Sequence, residues 1–282
     1  MPGTLFVVAT PIGNLEDITA RALRVLREVA LIAAEDTRRT ARLLARYAIG
    51  TPTTSFHEHN ETRKTAPLLA RLTRGDDIAL VSDAGTPAVS DPGQHLIRAA
   101  IDAGIRVEPI PGPSAVMAAL AASGLPSSTF TFLGFPPIRA KDRIKWFQSL
   151  REAGRTIVFF EAPHRIRETL DELRHSVGDR PIVLCRELTK AHEELVVRPI
   201  SEVLSRLDKP KGEFTVVINI GQSTEVRQLE PASDEDLMAE FGVLTKQMNV
   251  PRRRVLNLLA RKHQRRSNEI YAAIERAKKL VK

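Results

Sequence analysis

An apolar segment that runs straight into a glycine- and proline-rich loop occurs at Asp77-Ile-Ala-Leu-Val-Ser-Asp-Ala-Gly-Thr-Pro-Ala-Val-Ser-Asp-Pro-Gly93. Its first six residues predict a buried strand, because they lack the alternation that a half-exposed strand shows. Similar apolar runs occur at Thr4–Ala9, Val29–Ala34 and Ile105–Pro109, and helical patterns separate them. This order predicts a parallel sheet that helices cover on both faces.

A second alternation of strands and helices follows a sharp turn at Pro111-Gly-Pro113. Its predicted strands are Thr129–Phe135, Thr156–Phe160, Pro181–Cys185 and Glu213–Ile220. The fold class is therefore α/β, with two α/β domains and a small C-terminal all-helical module. We expect the domains at residues 1–112 and 113–225, followed by a linker and the helical module at 226–282.

The positive charge of the chain is concentrated at its C-terminal end. Residues 251–282 hold eleven basic and two acidic side chains, whereas the preceding 250 residues carry a net charge of −1. Arg254, Arg261 and Arg265 are seven and four residues apart and should share one helical face. Such clustering is typical of a protein that binds phosphate backbones. A solvated helical face is the alternative.

Composition restricts the class of protein further. Hydrophobic residues make up 43% of the chain and charged residues 27%, as in a globular domain with a sizeable core. The longest apolar runs are far shorter than the roughly 20 residues of a membrane helix. The single cysteine, Cys185, excludes an internal disulfide and fits a reducing compartment. We expect a cytoplasmic protein without a membrane partner.

The sequence patterns of several common ligand and metal sites are absent from this chain. The chain has no P-loop and no G-x-G-x-x-G after its first strand. His57 and His59 near Glu61 could form part of a metal cluster, but further ligands at metal spacing are missing, so no metal is expected. Cys185 ends an apolar strand, and we interpret it as a core residue rather than a nucleophile.

Four tight loops follow successive predicted strands, at the edge where open α/β sheets bind ligands. Glycine and proline in these loops let the backbone approach a ligand closely and hold the loop rigid. The loops are Thr10–Asp17, Glu35–Arg39, Ser82–Gly93 and Pro111–Ala115.

The order of these loops resembles the tetrapyrrole methylase superfamily, whose members use S-adenosylmethionine (SAM). Six segments carry the resemblance, which covers residues 4 to about 220: Ala9–Ile18, Ala34–Arg38, Ser82–Pro87, Pro111–Ala115, Phe160–Arg165 and Gly212–Phe214. In this form they are similar to the branch that methylates a ribose 2'-hydroxyl of a cytidine in the decoding region of 16S ribosomal RNA. Porphyrin-methylating members carry G-x-G-x-G-D after the first strand, and Thr10-Pro-Ile-Gly13 stands here instead.

The resemblance implies a SAM site in a cleft between the two α/β domains. The implied cofactor-binding residues are Ile12, Val81, Ser82, Asp83, Thr86, Ser114, Ala115, Glu161 and Leu188. It also implies 16S rRNA, on the 30S subunit, as the substrate, an RNA-binding role for the basic C-terminal helices, and a homodimer. The tetrapyrrole-binding role is not carried over, because the loop that performs it is replaced.

Transfer of a methyl group to a hydroxyl requires that a proton leave, and a carboxylate or imidazole within hydrogen-bond reach accelerates this step. The candidates at predicted strand ends are Glu35, Asp36 and His57. The pair Glu35–Asp36 beside Arg38 and Arg39 is equally compatible with a structural ion-pair cluster.

Arg38, Arg39 and Arg165 are candidate RNA phosphate contacts, together with the C-terminal arginines. Two other functional classes stay open. One is a methylase of a small acidic metabolite such as a tetrapyrrole, and the other is a non-catalytic RNA-binding regulator.

Overall fold

The computed structural model describes residues 1–208, 210–221, 234–248, 255–257, 259–260 and 267–280. The chain divides into two compact units, Met1–Gln222 and Ser223–Lys282, and each is described by itself. The first unit contains two five-stranded sheets. The predicted boundary between residues 225 and 226 lies outside the described residues.

The first sheet is parallel throughout and has the strand order β3-β2-β4-β1-β5. Its strands are β1 (Thr4–Val8), β2 (Leu31–Ala34), β3 (Thr53–Ser55), β4 (Ile78–Val81) and β5 (Arg106–Ile110). Its helices are α1 (Ala20–Glu28), α2 (Thr37–Arg46), α3 (Glu61–Thr73) and α4 (Gln94–Asp102). The helices lie on both faces and close two separate apolar clusters, one centred on Leu26 and Ile32 and the other on Phe56 and Leu96. The prediction of a parallel sheet covered on both faces is thereby confirmed.

β3 and α3 were not predicted from the sequence. β3 consists of Thr53, Thr54 and Ser55, and a polar edge strand of this length has no apolar run to indicate it. α3 contains Pro67, which interrupts the helical pattern in the sequence. β3 is defined by its pairing with β2, and α3 includes Pro67 within the helix.

The second sheet is mixed and has the strand order β6-β7-β10-β8-β9. β6 (Phe130–Phe132) pairs with β7 (Thr156–Glu161) in parallel, and the other pairs are antiparallel. The remaining elements of this part of the chain are α5 (Ala115–Ser123), α6 (Ala140–Glu152), α7 (Ile166–Val177), β8 (Pro181–Arg186), β9 (Glu194–Pro199), α8 (Ile200–Arg206) and β10 (Phe214–Asn219). β9 and α8 were not predicted from the sequence, and β9 is an edge strand that is largely exposed, including Leu195 and Val197.

α5 follows the Pro111–Pro113 turn and packs on the second sheet, not on the first. Its residues Val116 and Leu120 contact a cluster that contains Cys185 of β8. Burial raises the pKa of the Cys185 thiol to about 11, so the thiol stays protonated and unreactive. The interpretation of Cys185 as a core residue is confirmed.

The second unit contains α9 (Asp234–Met248) and α10 (Ser267–Leu280). These helices pack together with residues 255–257 and 259–260. Leu237, Val255, Leu259 and Ile274 form their shared core. Arg276 of α10 donates two hydrogen bonds to the Asp234 carboxylate, from Nε at 2.7 Å and from Nη2 at 3.0 Å. Within the described ranges, no helix is both long and apolar enough to cross a membrane.

Candidate active site

All four predicted loops lie side by side, because the strands that they follow, β2, β4, β1 and β5, are consecutive in the sheet. Two hydrogen bonds join the first loop to the third. Thr10 N donates to Gly85 O at 2.9 Å, and Gly85 N donates to Thr10 O at 3.0 Å. Thr10 Oγ1 also donates to Ser82 O at 3.1 Å. These bonds hold the main chain of the first loop against that of the third loop at the carboxyl edge of the first sheet.

The first loop also contacts the loop that follows β8 in the second sheet. Asn14 N donates to Thr189 Oγ1 at 3.1 Å. Gly13 leaves no room for a side chain, since a Cβ atom there would lie 2.5 Å from Lys190 Cγ and 2.9 Å from Leu188 O. Leu188 itself packs against the cluster beneath α5. These contacts bring two segments about 175 residues apart into one site.

Non-glycine residues with positive φ angles occur in the third loop and in the loop after β8. Ala88 and Ser90 in the third loop have φ angles of +66° and +64°, and Glu187 and Thr189 after β8 have +50° and +66°. Non-glycine residues adopt this region rarely, and such residues cluster at ligand-binding segments. The local strain marks these two loops as candidate binding segments.

The structure brings together eight of the nine residues proposed for the cofactor. Glu161 is the exception. Its carboxylate is fully buried against α7, where it accepts hydrogen bonds from Ala162 N at 2.8 Å and from Thr169 Oγ1. Glu161 as a whole residue is only 1% accessible. The other eight lie in the loops of this site or directly beside them, since Val81 ends β4 and Ala115 begins α5: Ile12, Val81, Ser82, Asp83, Thr86, Ser114, Ala115 and Leu188.

Carboxylates connect the second and third loops. Asp83 N donates to Glu35 Oε2 at 3.1 Å, and Asp36 N donates to Asp83 Oδ1 at 3.0 Å. Arg39 Nη1 lies 3.3 Å from Asp83 Oδ2. The Asp83 carboxylate is therefore bonded to the loop that follows β2.

The acidic residues of this edge differ in how readily they accept a proton. Burial raises the pKa of Glu35. Burial, followed by the nearby charge of Glu35, raises the pKa of Asp91 to about 6. In contrast, hydrogen bonds from Arg38 lower the pKa of Asp36 to about 2. Asp36 also caps α2 by accepting from Arg38 N at 2.9 Å, and its lowered pKa makes it a weaker proton acceptor than Glu35 or Asp91.

Asp91 was missed in the sequence, although it lies inside the Ser82–Gly93 loop. Its side chain is partly buried and hydrogen-bonds to the Ser82 side chain. The sequence offered one signal, the Asp-Pro-Gly turn at the end of a loop already assigned to ligand binding. Which carboxylates of the loop become buried next to each other is determined only by tertiary folding.

His57 lies at the outer end of this row of loops, next to the loop after β2. It follows β3, the edge strand, and β2 separates it from β4. Asn60 Oδ1 accepts a hydrogen bond from His57 N, and Asn60 Nδ2 donates to His57 Nε2, both at 2.9 Å. Glu61 accepts hydrogen bonds from Gly93 N and His95 N. Among the described residues, no group of three or more potential ligands could hold a metal ion.

The predicted RNA contacts fall into three groups. Arg38 and Arg39 are exposed at the start of α2, with 89% and 62% of their side chains accessible. Arg165 is only 17% accessible and donates to Pro136 O and Pro137 O at 2.7 and 3.2 Å. These carbonyls occupy its Nη2 nitrogen, and the phosphate contact of Arg165 stays a prediction. The third group lies outside the described residues: Arg254, Arg261 and Arg265.

A two-sheet α/β chain with a ligand site at the carboxyl edge of its parallel sheet is the architecture of a particular class of methylases. The family model of Tetrapyrrole (Corrin/Porphyrin) Methylases matches residues 4–204. The chain belongs to this family.

Curated relatives define a narrower group. Proteins named Ribosomal RNA small subunit methyltransferase I are 51% identical in Pseudomonas aeruginosa, over 79% of this chain and 81% of that protein. In Vibrio cholerae the identity is 42%, over 95% of this chain and 92% of that protein. Within the family, the chain falls in the group of these ribosomal RNA methyltransferases.

Solved structures share the fold at low identity. A uroporphyrin-III-C-methyltransferase from Thermus thermophilus has a TM-score of 0.53 at 23% identity, over 77% of this chain and 95% of that chain. A diphthine synthase has a TM-score of 0.62 at 15% identity, over 77% and 90%. A second Thermus thermophilus structure, solved with S-adenyl homocysteine, has a TM-score of 0.56 at 18% identity, over 77% and 98%.

The residues at the site fit SAM. Ile12 and Leu188 are apolar residues in two of these loops, whereas the Val81 side chain is buried in the core of the first sheet. The main-chain groups of Thr10 and Gly85 hold the first and third loops together. The Asp83 carboxylate is 23% accessible and can accept hydrogen bonds from the polar part of the ligand.

Proposed function

We propose that this chain methylates the ribose 2'-hydroxyl of a cytidine in the decoding region of 16S rRNA, with the 30S subunit as substrate and SAM as methyl donor. The observation that carries the proposal is the 51% identity with a ribosomal RNA methyltransferase over most of both chains. We further propose a homodimer located in the cytoplasm, with domains at residues 1–112 and 113–225 and an RNA-binding module at 226–282.

SAM supplies a methyl group on a sulfonium when it is bound. The first and third loops, which the Thr10–Gly85 bridge holds together, enclose its nucleoside with the apolar side chain of Ile12, and Asp83 orients its polar groups. Rigid loops matter here, because holding two reactants in line supplies roughly 7–11 kcal/mol of the barrier reduction.

The proton of the hydroxyl passes to a carboxylate at the same edge. We assign this role to Asp91, with Glu35 as the second candidate. The raised pKa values of both residues make them better acceptors than an ordinary carboxylate. Asp91 is favoured, because Glu35 Oε2 is already held by Asp83 N. His57 remains a weaker candidate, since Asn60 occupies its Nε2 atom.

RNA binding by Arg38 and Arg39 is consistent with their exposure next to the site. The alternative of a tetrapyrrole or other small acidic substrate is disfavoured, because Thr10-Pro-Ile-Gly13 replaces the glycine-rich loop of porphyrin methylases. The alternative of a non-catalytic regulator is disfavoured by the 51% identity with a protein named as a methyltransferase.

The experiment that tests the function is mass-spectrometric mapping of ribose methylation in 16S rRNA from a strain that lacks this protein. We expect one 2'-O-methylcytidine to disappear and to return with the wild-type gene but not with Asp83→Ala. Purified protein with labelled SAM is then offered 30S subunits, naked 16S rRNA and porphyrin precursors. An unchanged methylation map, together with labelling of the porphyrin only, would refute the proposal.

A further inference from the structure

The helix α2 exposes a row of four arginines. Arg38, Arg42 and Arg46 follow one another at intervals of four residues and therefore lie on one face, with Arg39 beside them. All four are exposed. The helix contains no acidic residue, and its opposite face packs into the core through Thr40, Leu43 and Leu44.

Two exposed arginines on other helices of the same unit are each paired with a carboxylate one turn away. Arg24 of α1 binds Glu28 at 2.7 Å, and Arg98 of α4 binds Asp102 at 2.7 Å. Arg42 and Arg46 have no such acidic partner among the described residues. Like charges four residues apart destabilise a helix. The row thus opposes the stability of α2, which indicates that the charges serve an interaction with an anion.

The row begins at the candidate active site. Asp36 caps α2, and Arg39 of its first turn lies 3.3 Å from Asp83 in the proposed cofactor loop. From Arg38 to Arg46 the charges extend about 12 Å along the helix axis, in steps of about 6 Å. An anion that follows this row would be linear, would carry repeated charges and would lead into the site.

We propose that Arg42 and Arg46 continue the contact of Arg38 and form a track for the phosphate backbone of the substrate RNA next to the methylated nucleotide. This inference rests on the proposed function and adds a binding surface in the first domain to the basic C-terminal segment. Contacts to phosphates position a strand without reading its sequence. The α2 track would therefore set the register of the strand at the site, and other features would select the nucleotide.

The test compares two double variants that remove the same charge. Arg42→Gln with Arg46→Gln alters the track, and Arg24→Gln with Arg98→Gln is the matched control on α1 and α4. Affinity for a labelled 16S rRNA fragment of the decoding region is measured over a series of salt concentrations. Loss of two phosphate contacts should reduce the slope of log K against log[salt] by about 1.4 for single-stranded RNA. The control should keep the wild-type slope.

Two further measurements keep the result interpretable. Thermal unfolding shows whether the track variant folds, and calorimetry should give a wild-type dissociation constant for SAM. A folded track variant with an unchanged salt slope overturns the inference. If that variant binds RNA normally but loses binding to 30S subunits, the row contacts a ribosomal protein, and the inference is again wrong. Failure of the wild-type protein to methylate rRNA refutes the proposed function instead. The salt slopes of the two double variants still test the RNA contact in that case.

Discussion

Replacement of Asp91 by asparagine should stabilise the protein at neutral pH and at the same time reduce methyl transfer. Burial raises the pKa of Asp91 from 3.8 to about 6, which means that the folded state disfavours the ionised form. A rise of this size costs the ionised folded protein roughly 3 kcal/mol, and partial exposure of the side chain reduces the figure to about 1 kcal/mol through solvent screening. Asparagine keeps the shape of the side chain and removes this cost.

The pH dependence has a defined sign. Between pH 4 and pH 6 the folded protein binds more protons at Asp91 than the unfolded chain does, so the wild-type free energy of unfolding falls as the pH rises. Asp91→Asn lacks this dependence. Urea unfolding should give equal stability for the two proteins near pH 4 and an advantage of about 1 kcal/mol for Asp91→Asn at pH 7.5. The corresponding rise in Tm is about 3 °C for a unit of this size.

Activity should change in the opposite direction. If Asp91 accepts the proton of the hydroxyl, its loss should lower kcat by roughly 10²-fold or more, whereas the affinity for SAM should change little. Asp102→Asn on α4 is the control, because it removes an exposed carboxylate that is paired with Arg98 in the last turn of that helix. Asp91→Asn protein that is no more stable than wild type at pH 7.5 would refute the burial reasoning. An unchanged kcat would refute the proton-acceptor assignment.

Three other predictions concern binding. Asp83→Ala should weaken SAM binding about tenfold by titration calorimetry, because it removes a charged hydrogen-bond acceptor, and an unchanged dissociation constant would show that the cofactor lies elsewhere. Gly13→Val should lower both Tm and SAM affinity, since its Cβ would lie 2.5 Å from Lys190 Cγ, whereas Gly50→Val, with no atom within 4 Å of its Cβ, should lower neither. Replacing three C-terminal arginines by alanine should flatten the salt dependence of RNA binding by about 2 and leave SAM binding intact, and a wild-type slope would mean that they only solvate a helix. These arginines are Arg254, Arg261 and Arg265.

The parallel sheet of the first domain and the loops at its edge were predictable from local patterns. Unalternating apolar runs such as Ile78–Val81 indicate strands that are buried on both faces, and glycine and proline mark the loops between them. The second sheet was less predictable. Most of its strands could be located, but their antiparallel pairing depends on which strands meet, and the edge strand β9 was not predicted.

The sequence by itself determined the family, the position of the ligand loops and the identity of most residues that line them, because these depend on short segments of fixed residue type. Tertiary structure alone decided what each charged side chain does. Glu161 is buried, Arg165 donates to main-chain carbonyls, Asp36 is held ionised by Arg38, and Asp91 becomes the carboxylate with the most strongly raised pKa at this edge. The pKa and the availability of a charged group depend on its burial and on partners from distant segments, and no local pattern encodes them.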